Sequence, residues 1–130
     1  MASSRDPGAY RYLHLGLNEF RLLEIHPSEP SSPISCSLTH RRLDKNPQDY
    51  YIALSYVWGA ARNTICICVD GLPIQITLSL YDALHAHRHH EDKVVVWADA
   101  LCINQRNLQE RSNQVMLMGT IYTIAAVVHI

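Results

Sequence analysis

Apolar residues crowd both faces of an extended segment at Phe20–Ile25 (FRLLEI), which predicts a buried strand. From Ile34 to Arg41 the pattern changes to alternation, with Ile34, Cys36 and Leu38 set against Ser35, Ser37 and Thr39, as in a half-buried strand. Tyr51–Val57 (YIALSYV) is almost wholly apolar and rich in strand formers, the pattern of a strand covered on both sides, and Trp58-Gly59 ends it. Ile65–Val69 and Pro73–Thr77 flank Asp70-Gly71, which predicts a hairpin closed by a tight turn. The period then shifts to that of a helix. Leu80, Ala83, Leu84 and His87 fall on one face, Ser79-x-x-Asp82 reads as a capping box, and the helix is predicted to run to about His89. Val94–Ala98 (VVVWA) predicts a second buried strand, followed by a loop over Asp99–Arg106. Asn107 is placed to cap the next helix, with Glu110 at its third position. That helix is predicted to reach about Thr123, and its wide face of Val115, Leu117, Met118, Ile121 and Tyr122 predicts burial on more than one side. Ala126–Ile130 begins a further strand.

Strands alternating with helices predict an α/β fold with a parallel, doubly wound sheet, the hairpins being antiparallel decorations. Residues 1–19 read as a loose lead and 20–130 as one domain. The apolar run stops at Ile130 with no turn or cap after it, so the domain is expected to be incomplete at its C-terminus. The loop His26–Pro33 (HPSEPSSP) is dense in Pro and Ser, and no internal repeat is visible.

Composition narrows the classes. Of 130 residues, 48% are hydrophobic and 18% charged, which supports a packed core and argues against disorder along the whole chain. The net charge of −1 gives no field to attract nucleic acid or anionic membrane. Arg11 and Arg41-Arg42 are the only basic hints, with no groove-reading motif, so no nucleic-acid partner is expected. No apolar run is long enough to span a bilayer, and the start lacks the apolar core of a signal peptide, so no membrane association is expected. Cys36, Cys66, Cys68 and Cys102 show no disulfide-framework spacing, which fits a reducing, cytoplasmic setting.

Ligands of open parallel sheets bind outside the carboxyl ends of the strands. One strand delivers Ser55, Tyr56, Trp58 and Gly59 there, and the next delivers Asp99, Asn104 and Gln105. The following helix opens with Glu110 and Arg111, and Asn107, Glu110, Arg111 and Gln114 share a face. A helix start with Asn, Gln and Arg nearby suits a phosphate or carboxylate, and Tyr56 or Trp58 a stacked ring. The ligand-binding candidates are therefore Tyr56, Trp58, Gly59, Asp99, Asn104, Gln105, Glu110 and Arg111, with a nucleotide as one ligand class. The plainer alternative is that Asp99 and Asn104 serve the loop backbone, Glu110 and Arg111 the helix cap, and Trp58 the core. Cys66-x-Cys68 and the histidines 85, 87, 89 and 90 lie on different elements in no common zinc spacing, so no metal site is assigned. Cys102 lacks a neighbouring histidine in sequence and reads as an inert core thiol.

Three ordered blocks carry a family resemblance. YIALSYVWG (Tyr51–Gly59), ICICVDGLPIQITLSLYDAL (Ile65–Leu84) and WADALCINQRNLQERSNQVMLMGTIYTIA (Trp97–Ala125) resemble the motifs of the fungal heterokaryon incompatibility (HET) domain, and FRLLEI with its Pro-rich loop resembles the usual lead-in. The resemblance implies a module of self/non-self recognition and regulated cell death, acting through protein partners or self-association. It also implies a distant kinship with Toll/interleukin-receptor (TIR) domains, some of which cleave NAD as a substrate; no cofactor is implied. Family members usually continue with Trp-Leu-Gly after the last strand, and here the chain ends at Ile130. TIR-type cleavage uses a glutamate on the helix after the third parallel strand. With Tyr51–Val57 first, Val94–Ala98 second and Ala126–Ile130 third, that helix would begin beyond Ile130. Glu110 sits one helix too early, which leaves it a weak catalytic candidate.

Overall fold

The computed structural model describes residues 10–43, 50–55 and 63–129. Among the described residues seven strands and three helices follow one another as β1 (Glu19–Ile25), β2 (Ser35–Arg42), β3 (Ile52–Leu54), β4 (Thr64–Val69), β5 (Leu72–Thr77), α1 (Leu78–His87), β6 (Val94–Ala98), α2 (Asp99–Cys102), α3 (Leu108–Ile124) and β7 (Val127–His129). All seven strands join one sheet in the order β5-β4-β2-β1-β6-β3-β7.

The sheet is mixed. Strands β6, β3 and β7 run parallel, but β1 is antiparallel to both β2 and β6. The expectation of a parallel sheet with hairpins as appendages therefore needs correcting: the β1–β2 pair and the β4–β5 hairpin extend the same sheet, because β1 bonds directly to the parallel trio through β6. The β1–β2 and β4–β5 pairs are local antiparallel hairpins, whereas β2 and β4 are parallel neighbours whose connection runs through β3 on the far side of β6.

The β4–β5 turn is the predicted one. Asp70 and Gly71 both take positive φ, 51° and 79°, as a two-residue hairpin of the right-handed twist demands. The α1 cap lies elsewhere than predicted. Thr77 Oγ1 accepts from Leu80 N at 3.2 Å, so the helix begins before Ser79, and it ends at His87 rather than His89. Arg88 leaves the helix with extended backbone, and its guanidinium donates to the carbonyls of Glu29, Pro30, Ser32 and Pro33, pinning the Pro-rich loop against the end of α1. Asn107 does cap α3, its Oδ1 accepting from Glu110 N at 3.0 Å. Residues 99–102, read as loop, instead form the short helix α2.

Helices lie on both faces. By register, Trp97 shares a sheet face with Ala53, and Tyr122 of α3 packs edge-on against Trp97 at 5.3 Å between ring centroids. Tyr51 lies on α3 as well, its hydroxyl donating to Ile121 O. Arg21 points to the opposite face with Leu23 and Val96, where its guanidinium reaches the carbonyl of Cys102 in α2. The core joins Phe20, Leu22, Leu23 and Ile25 of β1 to Val96, Trp97 and Ala98 of β6 and to Leu80 and Leu84 of α1. Burial of α3 is narrower than its apolar sequence predicts: Val115 and Met116 are exposed, and Glu110, Gln114 and Ile121 are its buried residues. Leu117, Met118, Tyr122 and Ile124 pack partly against the core, and Val115 and Met116 face outward because a sheet covers only one flank of a helix.

Candidate functional site at the carboxyl ends of the parallel strands

Strands β3 and β6 lie side by side and parallel, with Leu54 opposite Ala98. The next residues, Ser55 and Asp99, therefore leave the sheet together at its carboxyl rim. Tyr56, Trp58 and Gly59, named from the sequence, lie outside the described residues. Tyr122 reaches this rim from α3. Burial pushes its hydroxyl pKa up, a hydrogen bond with the Ser55 side chain opposes that, and the charge of Asp99 adds to it. The Ser55 and Tyr122 side chains thus meet at this rim near the Asp99 charge, with Tyr122 edge-on to the buried Trp97, whose Nε1 has no partner among the described residues. The sequence marked Tyr122 only as an apolar helix position. Its spacing carried no sign of the contact, because the neighbours come from three elements.

Asn104 and Gln105 serve the backbone between α2 and α3. Gln105 Nε2 donates to Asp99 O at 2.8 Å, and Asn104 Oδ1 accepts from Arg106 N at 3.2 Å. Arg111 is exposed on the first turn of α3.

Glu110 is held inside the fold. Arg21 Nη1 donates to its Oε2 at 2.6 Å and Nη2 to its Oε1 at 2.9 Å, and the Asn104 amide donates to Oε2 at 2.6 Å. The two side chains are 1% and 8% exposed, so the pair is screened from water. Arg21 also donates to Cys102 O and Leu13 O and lies over the Tyr12 ring at 4.7 Å. Burial alone would raise the Glu110 pKa; the hydrogen bonds from Arg21 and Asn104 and the Arg21 charge outweigh it and hold the carboxyl below the ordinary range. This arrangement joins β1, α2, α3 and the N-terminal segment through one ionised carboxylate. Nothing in the chain's local pattern flags Arg21, which sits amid an apolar strand 89 positions from its partner.

The sulfur and imidazole groups remain dispersed. Cys66 is exposed, Cys68 partly so, and Cys36 and Cys102 are buried. Burial pushes the Cys102 thiol up to about 12, and its Sγ accepts from Ala98 N at 3.4 Å. His85 bonds Pro30 O, while His89 accepts from the amides of Glu91 and Asp92. Among the described residues no group of three His, Cys, Asp or Glu side chains is placed to hold a metal ion. Among the same residues no helix is long and apolar enough to cross a membrane.

Comparison with known proteins adds an independent line. The family model described as "Heterokaryon incompatibility protein (HET)" matches residues 51–130. Heterokaryon incompatibility protein 6, OR allele, of Neurospora crassa is 35% identical over 119 residues, an alignment covering 81% of this chain. The chain spans 17% of the length of that relative. No solved structure matches it. The match takes in β3 through β7, the strands and helices that build the Ser55–Asp99–Tyr122 rim, and on this ground the chain belongs to the heterokaryon incompatibility (HET) family.

Proposed function

We propose that this chain works in fungal heterokaryon incompatibility as a signalling or self-association module, within regulated cell death and in the cytoplasm. The carrying observation is the Arg21–Glu110 pair: the α3 carboxylate nearest the strand rim is spent on holding the fold together, which favours docking over turnover by this part of the protein. Exposed Val115 and Met116 on α3, with Val127 and Val128 on the edge strand β7, offer apolar surface to a second copy. The name of the Neurospora relative supports the biological setting. The test is expression of the whole protein in a fungal host followed by fusion with an unlike strain. Cell death on fusion is the expected result, with Val115→Glu folding normally yet weakening both self-association and death. A full response from that variant, with self-association intact, would count against docking through this face.

A second reading, NAD cleavage by the full-length protein, draws on the spatial order of the parallel trio. The first strand lies between the second and third, as flavodoxin-like and TIR-like sheets arrange theirs. Ser55, Asp99 and Tyr122 then stand at the rim where such sheets bind nucleotides. Nicotinamide release by the full-length protein tests this reading, and its absence under conditions that trigger death would reject it.

A further inference from the structure

We infer that Ser32 is a phosphorylation site for a proline-directed protein kinase, and that Arg88 takes the resulting phosphate. The motif comes from the Pro-rich loop between β1 and β2. The chain has six prolines, and Ser32-Pro33 is the one place where a serine or threonine precedes one of them. Pro30 lies two positions before Ser32, which gives Pro-x-Ser-Pro. Both flanks have a physical role. A proline after the acceptor brings no N–H into a kinase cleft where that donor would go unsatisfied. Two prolines also bias the segment toward the extended backbone that a kinase groove holds. Ser31 and Pro33 are exposed and Ser32 is half-buried, so the motif lies at the protein surface.

The fold sets this motif against a cation. Residues Glu29 to Ser32 form a turn, with Ser32 N donating to Glu29 O at 2.9 Å and Pro30 at the position that favours proline. Arg88, the residue that leaves α1, spans the turn. Its Nη1 donates to Ser32 O at 2.9 Å and Pro33 O at 3.2 Å, and its Nη2 to Glu29 O at 2.9 Å and Pro30 O at 3.0 Å. The guanidinium therefore touches the acceptor residue itself, and these four partners are neutral carbonyls. His85 Nε2 bonds Pro30 O at 2.9 Å from the same end of α1. Glu29 and the partial negative charge at the α1 C-terminus oppose an added anion, but Arg88 carries a full charge at contact distance.

In the transfer, Ser32 Oγ attacks the γ-phosphorus of MgATP held by the kinase. A bond forms from phosphorus to Oγ, the bond to ADP breaks, and the hydroxyl proton passes to the kinase's catalytic carboxylate. The phosphoserine then carries a charge near −2 and three strong acceptor oxygens. A charge-assisted hydrogen bond is roughly twice as strong as a neutral one, so Arg88 exchanges carbonyl partners for phosphate oxygens. The turn loses donors, while the loop stays tied to α1 through the new pair. The β1–β2 connection thus gains a second setting that depends on the phosphate.

The test incubates the folded chain with MgATP and an active mitogen-activated protein kinase, a proline-directed enzyme, and maps the product by mass spectrometry. Phosphate is expected on the peptide that holds Ser32. Ser32→Ala should abolish that signal, and Ser31→Ala should leave it unchanged. Pro33→Ala should slow incorporation roughly tenfold, the factor for one unsatisfied N–H. Arg88→Ala frees the segment and should speed incorporation. The phosphorylated chain is then titrated by phosphorus NMR. Paired with Arg88, the phosphate should lose its second proton about one unit below the ordinary value of about 6, and in Arg88→Ala at that ordinary value. No incorporation at Ser32, an equal rate in Pro33→Ala, no faster reaction in Arg88→Ala, or a phosphate that titrates alike with and without Arg88 would each overturn the assignment. The result stands apart from the fusion and nicotinamide assays, since neither Val115 nor the strand rim takes part.

Discussion

Arg21 on β1 and Glu110 on α3 form a two-pronged ion pair, 2.6 and 2.9 Å long, between segments 89 positions apart in the chain. Desolvating two charges is costly, and the geometry offsets that cost by giving the carboxylate an added backbone donor and the guanidinium two carbonyl acceptors. Arg21 Nε has no hydrogen-bond partner among the described residues. The pair links the start of β1 to the start of α3, next to the rim where Asp99 emerges.

Removing one partner should therefore cost more than removing both. Glu110→Gln leaves the Arg21 charge buried without its counterion and is expected to lower unfolding free energy by about 3–5 kcal/mol. The double variant Arg21→Met, Glu110→Leu should recover much of that loss. Urea denaturation of the three proteins checks the order, and additive losses in the double variant would refute it.

Acid should weaken the fold in two windows. Burial and the Arg21 charge lower the His40 pKa, with Glu19 opposing them, so the unfolded chain takes up a proton first as pH falls through about 6.5 and stability declines there. The Glu110 carboxyl is held below its unfolded value of about 4.3, so its contribution is complete above that pH and is lost as pH falls through the lower, folded-state value. His40→Asn should flatten the first decline and Glu110→Gln the second, measured as denaturant midpoints across pH.

Arg88 binds the backbone of the Pro-rich loop through its two terminal guanidinium nitrogens, Nη1 and Nη2. Arg88→Ala should cost about 2 kcal/mol and open residues 29–33 to proteolysis, while Arg88→Lys keeps the charge but not the fork and should restore only part of the protection. Cleavage patterns unchanged in both variants would show that the loop holds itself.

The thiols should divide in two. Burial pushes Cys36 and Cys102 up to about 12, whereas Cys66 and Cys68 lie at the surface of β4. A thiol reagent at pH 8 is expected to modify Cys66 and Cys68 in the folded protein and all four cysteines in denaturant. Mass mapping of the modified peptides checks the assignment, and early labelling of Cys102 would contradict it.

Periodicity found most elements because each is a local matter of which side chains must leave water. Asp70-Gly71, the Asn107 cap and the VVVWA strand all depend on residues adjacent in sequence. Ser79 and Asp82, two residues on, offer a local capping pattern as good as that of Thr77, while the Asn63 carbonyl, which accepts from Leu78 N, continues the β4–β5 ladder into the start of α1. The exposure of Val115 and Met116 was missed because an apolar helix pattern records what a segment can bury, not how much surface a neighbour supplies.

The strands, the two longer helices, the hairpin turn and the family motifs were set by the sequence alone, since they rest on short-range sterics, hydrogen bonding and hydropathy. Which strands adjoin, that β1 runs antiparallel beside β6, that Tyr122 meets Ser55 and Asp99, and that Glu110 turns inward to Arg21 were decided by tertiary structure. Those outcomes depend on the pairing of surfaces far apart in the chain, where many partners satisfy the same local pattern and only the packed sheet selects one.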